Sequence, residues 1–174
     1  MKNDSNLLTS RRFLPMFLTQ FFGALNDNVY KQALLLVITY GLISQQSASV
    51  STLNNLAALL FILPYFIFSA TAGQIADKYE RASLVRAIKI LEIIIMLIGS
   101  VGFITGHLFL LMVALFLMGV HSTFFGPIKY AILPEILKPN ELMSGNALFQ
   151  SGTSIAILLG MILGGAVISS SHGN

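Results

Sequence analysis

The sequence predicts an all-α membrane protein of about five transmembrane helices, and three observations carry that reading. Only 10% of the 174 residues are charged and 55% are hydrophobic, whereas a soluble domain carries about 25% charged residues. The mean hydropathy is +0.80. The charges also leave long gaps: no Asp, Glu, Lys or Arg falls in Gln32–Ala76, Ile93–Ile128 or Leu142–Asn174. A hydrocarbon core of roughly 30 Å takes about 20 helical residues, so the first two gaps are each long enough to belong to more than one span. A soluble bundle would show polar faces at the helical period, and most of these segments show none. A transmembrane barrel would alternate apolar and polar residues over about ten positions; these runs are apolar on both sides.

The elements follow in order. Residues 1–12 are polar and short, a leader without the apolar core and small-residue cleavage site of a secretory signal. A first helix is expected over 13–43, over-long for one span, so that it tilts, breaks or projects beyond the lipid. A polar, uncharged turn covers 44–51. A second helix takes 52–71 with Pro64 inside it, followed by a charged loop over 73–83. A third helix takes 84–104 and a tight turn falls at Gly106-His107. A fourth helix takes 108–130 and ends in Gly126-Pro127. Pro134, Pro139 and Asn140 break the chain into a polar loop over 134–143. A fifth helix covers 144–168, and residues 169–174 form a tail.

The basic residues fix an expected orientation. Lys2, Arg11, Arg12, Lys78, Arg81, Arg86 and Lys138 fall at one side of the helices, and the 44–51 turn, the 105–107 turn and the tail hold no Lys or Arg. The positive-inside rule then puts the N-terminus and both charged loops in the cytoplasm and the tail outside. The same placement accounts for the net charge of +3 without nucleic acid, since no basic cluster exceeds Arg11-Arg12. There is no cysteine, hence no disulfide framework or thiolate metal site. The three histidines show no metal-ligand spacing.

Polar groups inside the spans are the candidates for function, because an ionisable residue there is costly and faces a cavity or a partner. Asn26-Asp27-Asn28 interrupts the first helix near its middle, with Lys31 four residues on and so on the face of Asp27. Either this run lines a polar transport cavity, or Asp27 and Lys31 satisfy each other and hold helices together. Lys89 and Glu92 can pair at i,i+3, and Lys89 can equally reach back to the interface. Lys129, beside Pro127, can meet an anionic phosphate or act with Tyr130 as an interfacial anchor. His121 reads as a lone satisfied hydrogen-bonding residue ahead of a proton relay. Asn146, Gln150 and Ser154 form one stripe that either lines a cavity or bonds a neighbouring helix. Gly160-x-x-x-Gly164 lets helices pack closely.

Two motifs extend the reading. Gly73-Gln-Ile-Ala-Asp77-Lys78-Tyr-Glu-Arg81 resembles the loop of the major facilitator superfamily, G-x-x-x-D-[RK]-x-G-[RK]-[RK]. Gly73, Asp77, Lys78 and Arg81 match it, while Glu80 stands for a glycine and Ala82 for a basic residue. In physical terms Gly73 would let helices approach, and Asp77 would latch one conformation across the cytoplasmic face. Leu25-Asn26-Asp27-Asn28, Pro127-Ile128-Lys129-Tyr130-Ala131-Ile132-Leu133 and the stretch Asn146–Gly165 resemble elements of bacterial lysophospholipid transporters, with Ala131 in place of a glycine. That resemblance implies a twelve-helix transporter of the inner membrane working by alternating access. This chain would be its N-terminal part, most of the first six-helix half, with the C-terminal half missing and the chain apparently truncated. Acyltransferase and acyl-carrier-protein ligase domains can be fused to the same module. It implies that Asp27, Asn28 and Lys129, with Asn26 and Gln150, bind or gate a lysophospholipid, without a cofactor. A facilitator for another small molecule and a transport-inactive membrane anchor are the alternatives. An enzyme is not expected: an acyltransferase H-x-x-x-x-D pair would need Asp where Met112 follows His107 and Gly126 follows His121.

Overall fold

The computed structural model describes residues 7–40 and 49–172. Five helices follow one another: α1 (Leu14–Thr39), α2 (Val50–Lys78), α3 (Arg81–Thr105), α4 (Leu108–Ile136) and α5 (Leu142–His172). No strand occurs among the described residues. Helix is the form that hydrocarbon demands, since it satisfies every backbone N–H and C=O within the segment. Four of the five, α2 to α5, are long and apolar enough to cross a membrane. α1 has the length, at 26 residues, but its polar run from Asn26 to Asn28, with Lys31 and Gln32, lowers its hydropathy.

The helix ends differ from the sequence expectation where the chain leaves the lipid. α2 continues to Lys78, so Gly73, Asp77 and Lys78 lie in helix and only Tyr79 and Glu80 separate it from Arg81, the first residue of α3. The expected charged loop over 73–83 is thus a two-residue break. Ala72 and Ala76 are buried one turn apart and carry the packing of α2 through this stretch. At 29 residues α2 spans about 43 Å, more than the hydrocarbon core, so its last turns reach water still helical. α4 likewise runs on through Gly126-Pro127 to Ile136. Pro127 removes one N–H, whereas a break inside the lipid would strip several groups of their partners. α5 starts at Leu142 and extends to His172, beyond the expected 144–168 at both ends. The expected turn at 44–51 lies largely outside the described residues.

Local capping sets the boundaries. Ser49 caps α2 by accepting from the Thr52 amide at 3.3 Å. Glu80 caps α3 by accepting from the Ser83 amide at 3.2 Å and from the Ser83 hydroxyl. These bonds hold the Glu80 carboxyl below the usual carboxylate range. Gly106 ends α3 in the left-handed region at φ 66°, a conformation that costs a residue without Cβ nothing. The His107 amide closes back on the Gly102 carbonyl at 3.1 Å.

The chain packs as two compact units. One comprises residues 1–33 and 129–174, the other residues 34–128. In the first, α5 lies against α1 at backbone distance. A Cβ on Gly160 would stand 2.6 Å from the Leu25 carbonyl oxygen, and one on Gly164 would stand 2.6 Å from that of Val29. One end of this contact is filled by rings, with Phe13 and Phe17 both edge-on to Phe149 at 5.6 and 6.2 Å. Gln20 donates to the Thr153 hydroxyl at 3.0 Å. Outside the helices, Arg12 donates to both carboxylate oxygens of Glu141 at 2.8 Å and to the Ile136 carbonyl at 3.2 Å. The leader is thereby fastened to the α4–α5 turn.

In the second unit α4 crosses α2 where Gly119 faces the Pro64 turn, and a Cβ on Gly119 would overlap the Phe61 carbonyl oxygen. Phe68 and Phe124 meet further along at 6.1 Å. The hairpin of α3 and α4 closes on Gly102 against Leu111. Ile95, Leu111 and Met118 are fully buried here.

Two outcomes follow from these contacts. Gly160→Val places branched carbons on the α1 backbone and lowers stability by about 1–3 kcal/mol, read as earlier thermal unfolding in detergent, while Met161→Val, on an exposed position, leaves it unchanged. Glu141 accepts from the Lys138 amide and from Arg12, and both hold its carboxyl below the usual range against an opposing effect of burial. A depressed value means that the contribution is present above about pH 4.3, the unfolded value, and disappears as pH falls through the lower folded one. Amide exchange at Lys138, corrected for its intrinsic pH dependence, is therefore protected at neutral pH and loses protection as pH falls through the lowered Glu141 value; in Glu141→Gln that pH dependence flattens.

Candidate functional site

The polar run of α1 sits where α5 presses closest. Asn28 sends its Nδ2 to the Ala24 carbonyl at 2.7 Å, and its Cβ lies 2.8 Å from where a Cβ on Gly160 would stand. Asn28 is thus committed to the α1–α5 contact. Asp27, one position earlier, is half-buried and stands within electrostatic reach of both Lys31 and Lys129. The last brings α4 to the site: Lys129 is half-buried, with its Nζ 5.1 Å from the ring centroid of Tyr130. Asn26 adds a buried Nδ2 with no hydrogen-bond partner. The sequence-predicted residues Asn26, Asp27 and Lys129 therefore fall in one unit, with the Asp27 carboxylate acting on two ammonium groups and a buried amide donor one residue away in the chain.

Gln150 does not join them. It is exposed, as are Asn146 and Ser154, and Asn146 spends its amide on the Leu142 carbonyl at 2.9 Å. The polar bond from α5 to α1 comes from Thr153, one helical position off the expected stripe. The residues expected to latch the cytoplasmic side differ in their surroundings. Gly73 has nothing within 4 Å of an added Cβ, so the close helix approach expected of it is not made among the described residues. Asp77 and Lys78 are exposed, with the Lys78 Nζ 5.7 Å from the centroid of Tyr79, while Arg81 is half-buried.

A second polar cluster lies in the other unit, where spacing pairs Lys89 with Glu92 but leaves His121 alone. Lys89 donates to Glu92 Oε2 at 2.6 Å, the i,i+3 pair expected from spacing. His121 of α4 brings its Nε2 to the same oxygen at 3.3 Å, outside hydrogen-bonding alignment. Lys89 Nζ also lies 4.7 Å from the ring centroid of Phe125, and Phe125 stacks on His121 at 6.1 Å with the planes 8° apart. The signal that could have found His121 is the turn. Glu92 lies 14 residues before Gly106 (106 − 92) and His121 14 after His107 (121 − 107), so a tight antiparallel hairpin sets them side by side. Among the described residues no cluster of His, Cys, Asp or Glu could hold a metal ion.

Comparison with known proteins agrees with this architecture. The family profile of the Major Facilitator Superfamily matches residues 16–173. The lysophospholipid transporter LplT of Cronobacter sakazakii is 29% identical over 94% of this chain and 38% of its own length. Its namesake in Serratia proteamaculans is 31% identical over 95% of this chain and 38% of its own. That of Pectobacterium carotovorum is 30% identical over 92% and 36%. The chain thus spans less than two fifths of the length of these relatives. No solved structure matches it. Five helices of this length, four of them able to span a bilayer, together with a profile match over most of the chain, show a multi-pass membrane protein that belongs to the major facilitator superfamily.

Proposed function

We propose that this chain supplies most of the N-terminal half of a lysophospholipid transporter of the bacterial inner membrane. The observation that carries the proposal is the set formed by Asp27, Lys31 and Lys129. A lysophosphatidylethanolamine headgroup has one phosphate and one ammonium. Lys129 suits the phosphate, Asp27 suits the ammonium, and Asn26 has an amide donor to offer. In a low-dielectric span such charge-assisted bonds are strong, and the ligand's own dipole replaces part of the water that the three side chains lack. The similar proteins are lysophospholipid transporters, the lipid class to which this headgroup belongs. Asn28 serves the site by fixing the turn of α1 against Gly160 rather than by touching ligand, and Gln150 is left out of it.

In this reading the basic residues at Arg11, Arg12, Lys78, Arg81 and Lys138 face the cytoplasm, and Asp77, Lys78 and Arg81 serve the cytoplasmic side in conformational exchange. Facilitators hold substrate between two halves that rock about it, so the remaining ligands come from the half that the longer relatives carry. Acyltransferase or ligase domains fused to that longer protein would consume the lysolipid delivered to the cytoplasmic leaflet.

The test is lysophosphatidylethanolamine uptake by cells or vesicles carrying the full-length parent. Asp27→Ala and Lys129→Ala are each expected to lower uptake by about tenfold or more, about 1.4 kcal/mol, with membrane insertion unchanged. Gln150→Ala leaves uptake near the wild-type level. Unaltered uptake in both charge variants overturns the site, and transport of another solute with none of lysolipid favours a facilitator of different specificity.

A further inference from the structure

We propose that Glu92 and His121 form a proton-binding site that controls Lys89, separate from the Asp27–Lys129 set and independent of the lysophospholipid reading. One carboxylate oxygen, Glu92 Oε2, meets two nitrogen groups at once, Lys89 Nζ at 2.6 Å and His121 Nε2 at 3.3 Å. The side chains are largely enclosed: 3% of His121, 12% of Glu92 and 23% of Lys89 is exposed, so losing a partner here is costly. The Nδ1 atom of His121 is buried without a hydrogen-bond partner, so nothing on that side fixes which nitrogen carries the proton.

The charge inventory of the site is short. α2 from Val50 to Ala76 contributes no Asp, Glu, Lys, Arg or His, and its one titratable group in that stretch is Tyr65. The α1 segment in this unit, from Leu34, offers only Tyr40, which is exposed. Arg86 of α3 is engaged with the Ala82 carbonyl and the Ser83 hydroxyl. The balance therefore rests on Lys89, Glu92 and His121. With His121 neutral the three sum to zero, the state that low dielectric favours. A proton taken from solvent onto the imidazole makes two cations compete for one oxygen. The imidazolium, fixed on α4 and stacked on Phe125, holds its position, whereas the lysine has a flexible stem. Lys89 yields, keeping at most the Phe125 ring face as partner, and its ammonium becomes available to an anion.

The experiment uses the full chain in lipid nanodiscs, with 15N-histidine and 13C-dimethylated lysine, a label that keeps the lysine charge. The expected result is that the His121 imidazole and the Lys89 methyl resonances titrate with one common midpoint. In His121→Gln the pH response of Lys89 disappears. In Glu92→Gln, where the shared carboxylate is gone, the two resonances no longer change together. Different midpoints for the two resonances in the wild-type chain overturn the proposal, as does a His121 that stays neutral down to pH 4. A Lys89 response that persists in His121→Gln overturns it too. Because the wild-type comparison alone can fail, a variant that does not fold leaves the test decisive.

Discussion

The architecture of the first unit depends on the contact between two backbones. Where Gly160 and Gly164 face Leu25 and Val29, α5 puts no side chain of its own between the two helices. In lipid, helix association gains little from burying apolar surface, because the tails are as apolar as the side chains; close packing of small residues replaces that drive. The consequence reaches the polar run directly. Asn28 is turned onto α5, and the helical period then fixes the direction of its neighbours, since each residue is rotated about 100° from the last. Asp27 and Asn26 have their positions set by glycines more than 130 residues away in the sequence. Membrane helices carry few such polar interruptions because each is costly, and this one is placed where the backbone is held most firmly.

The second unit solves a similar problem with different groups. Pro64 leaves α2 short of one N–H donor, and α4 approaches that turn closely because Gly119 has no side chain. Lys89, Glu92, His121 and Phe125 join α3 to α4 through one shared oxygen and two ring faces. Each unit therefore combines a glycine contact that sets distance with a polar group that sets rotation.

Much of this was legible in the sequence, for physical reasons. The gaps in charge revealed the spans because hydrocarbon excludes ions, and the Asn26–Asn28 run and Lys129 stood out because they violate that exclusion. Helix ends were less legible. Gly73 to Lys78 reads as a loop by composition, yet water tolerates a helix as well as a loop, and Ala72 and Ala76 had packing that kept it going. Gly126-Pro127 reads as a stop, but inside lipid the alternatives to helix leave more groups unbonded than a single proline does. Gln150 illustrates the other limit. Its i,i+4 relation to Asn146 and Ser154 fixes a common face but not which way that face turns; Gly152, Gly160 and Gly164 decide that, and they turn Thr153 toward α1 instead.

The turn at Gly106-His107 has a consequence for gene-level change. It joins α3 and α4 with the fewest residues that allow reversal, so positions equally far from it on either side become neighbours all the way down the hairpin. Glu92 and His121, 14 residues out, lie about 21 Å from the turn. One inserted residue there would lengthen the connection and leave both helices unchanged; what it would loosen is the closure of the His107 amide on the Gly102 carbonyl. This two-residue segment is where the length of the chain, rather than its composition, carries the information.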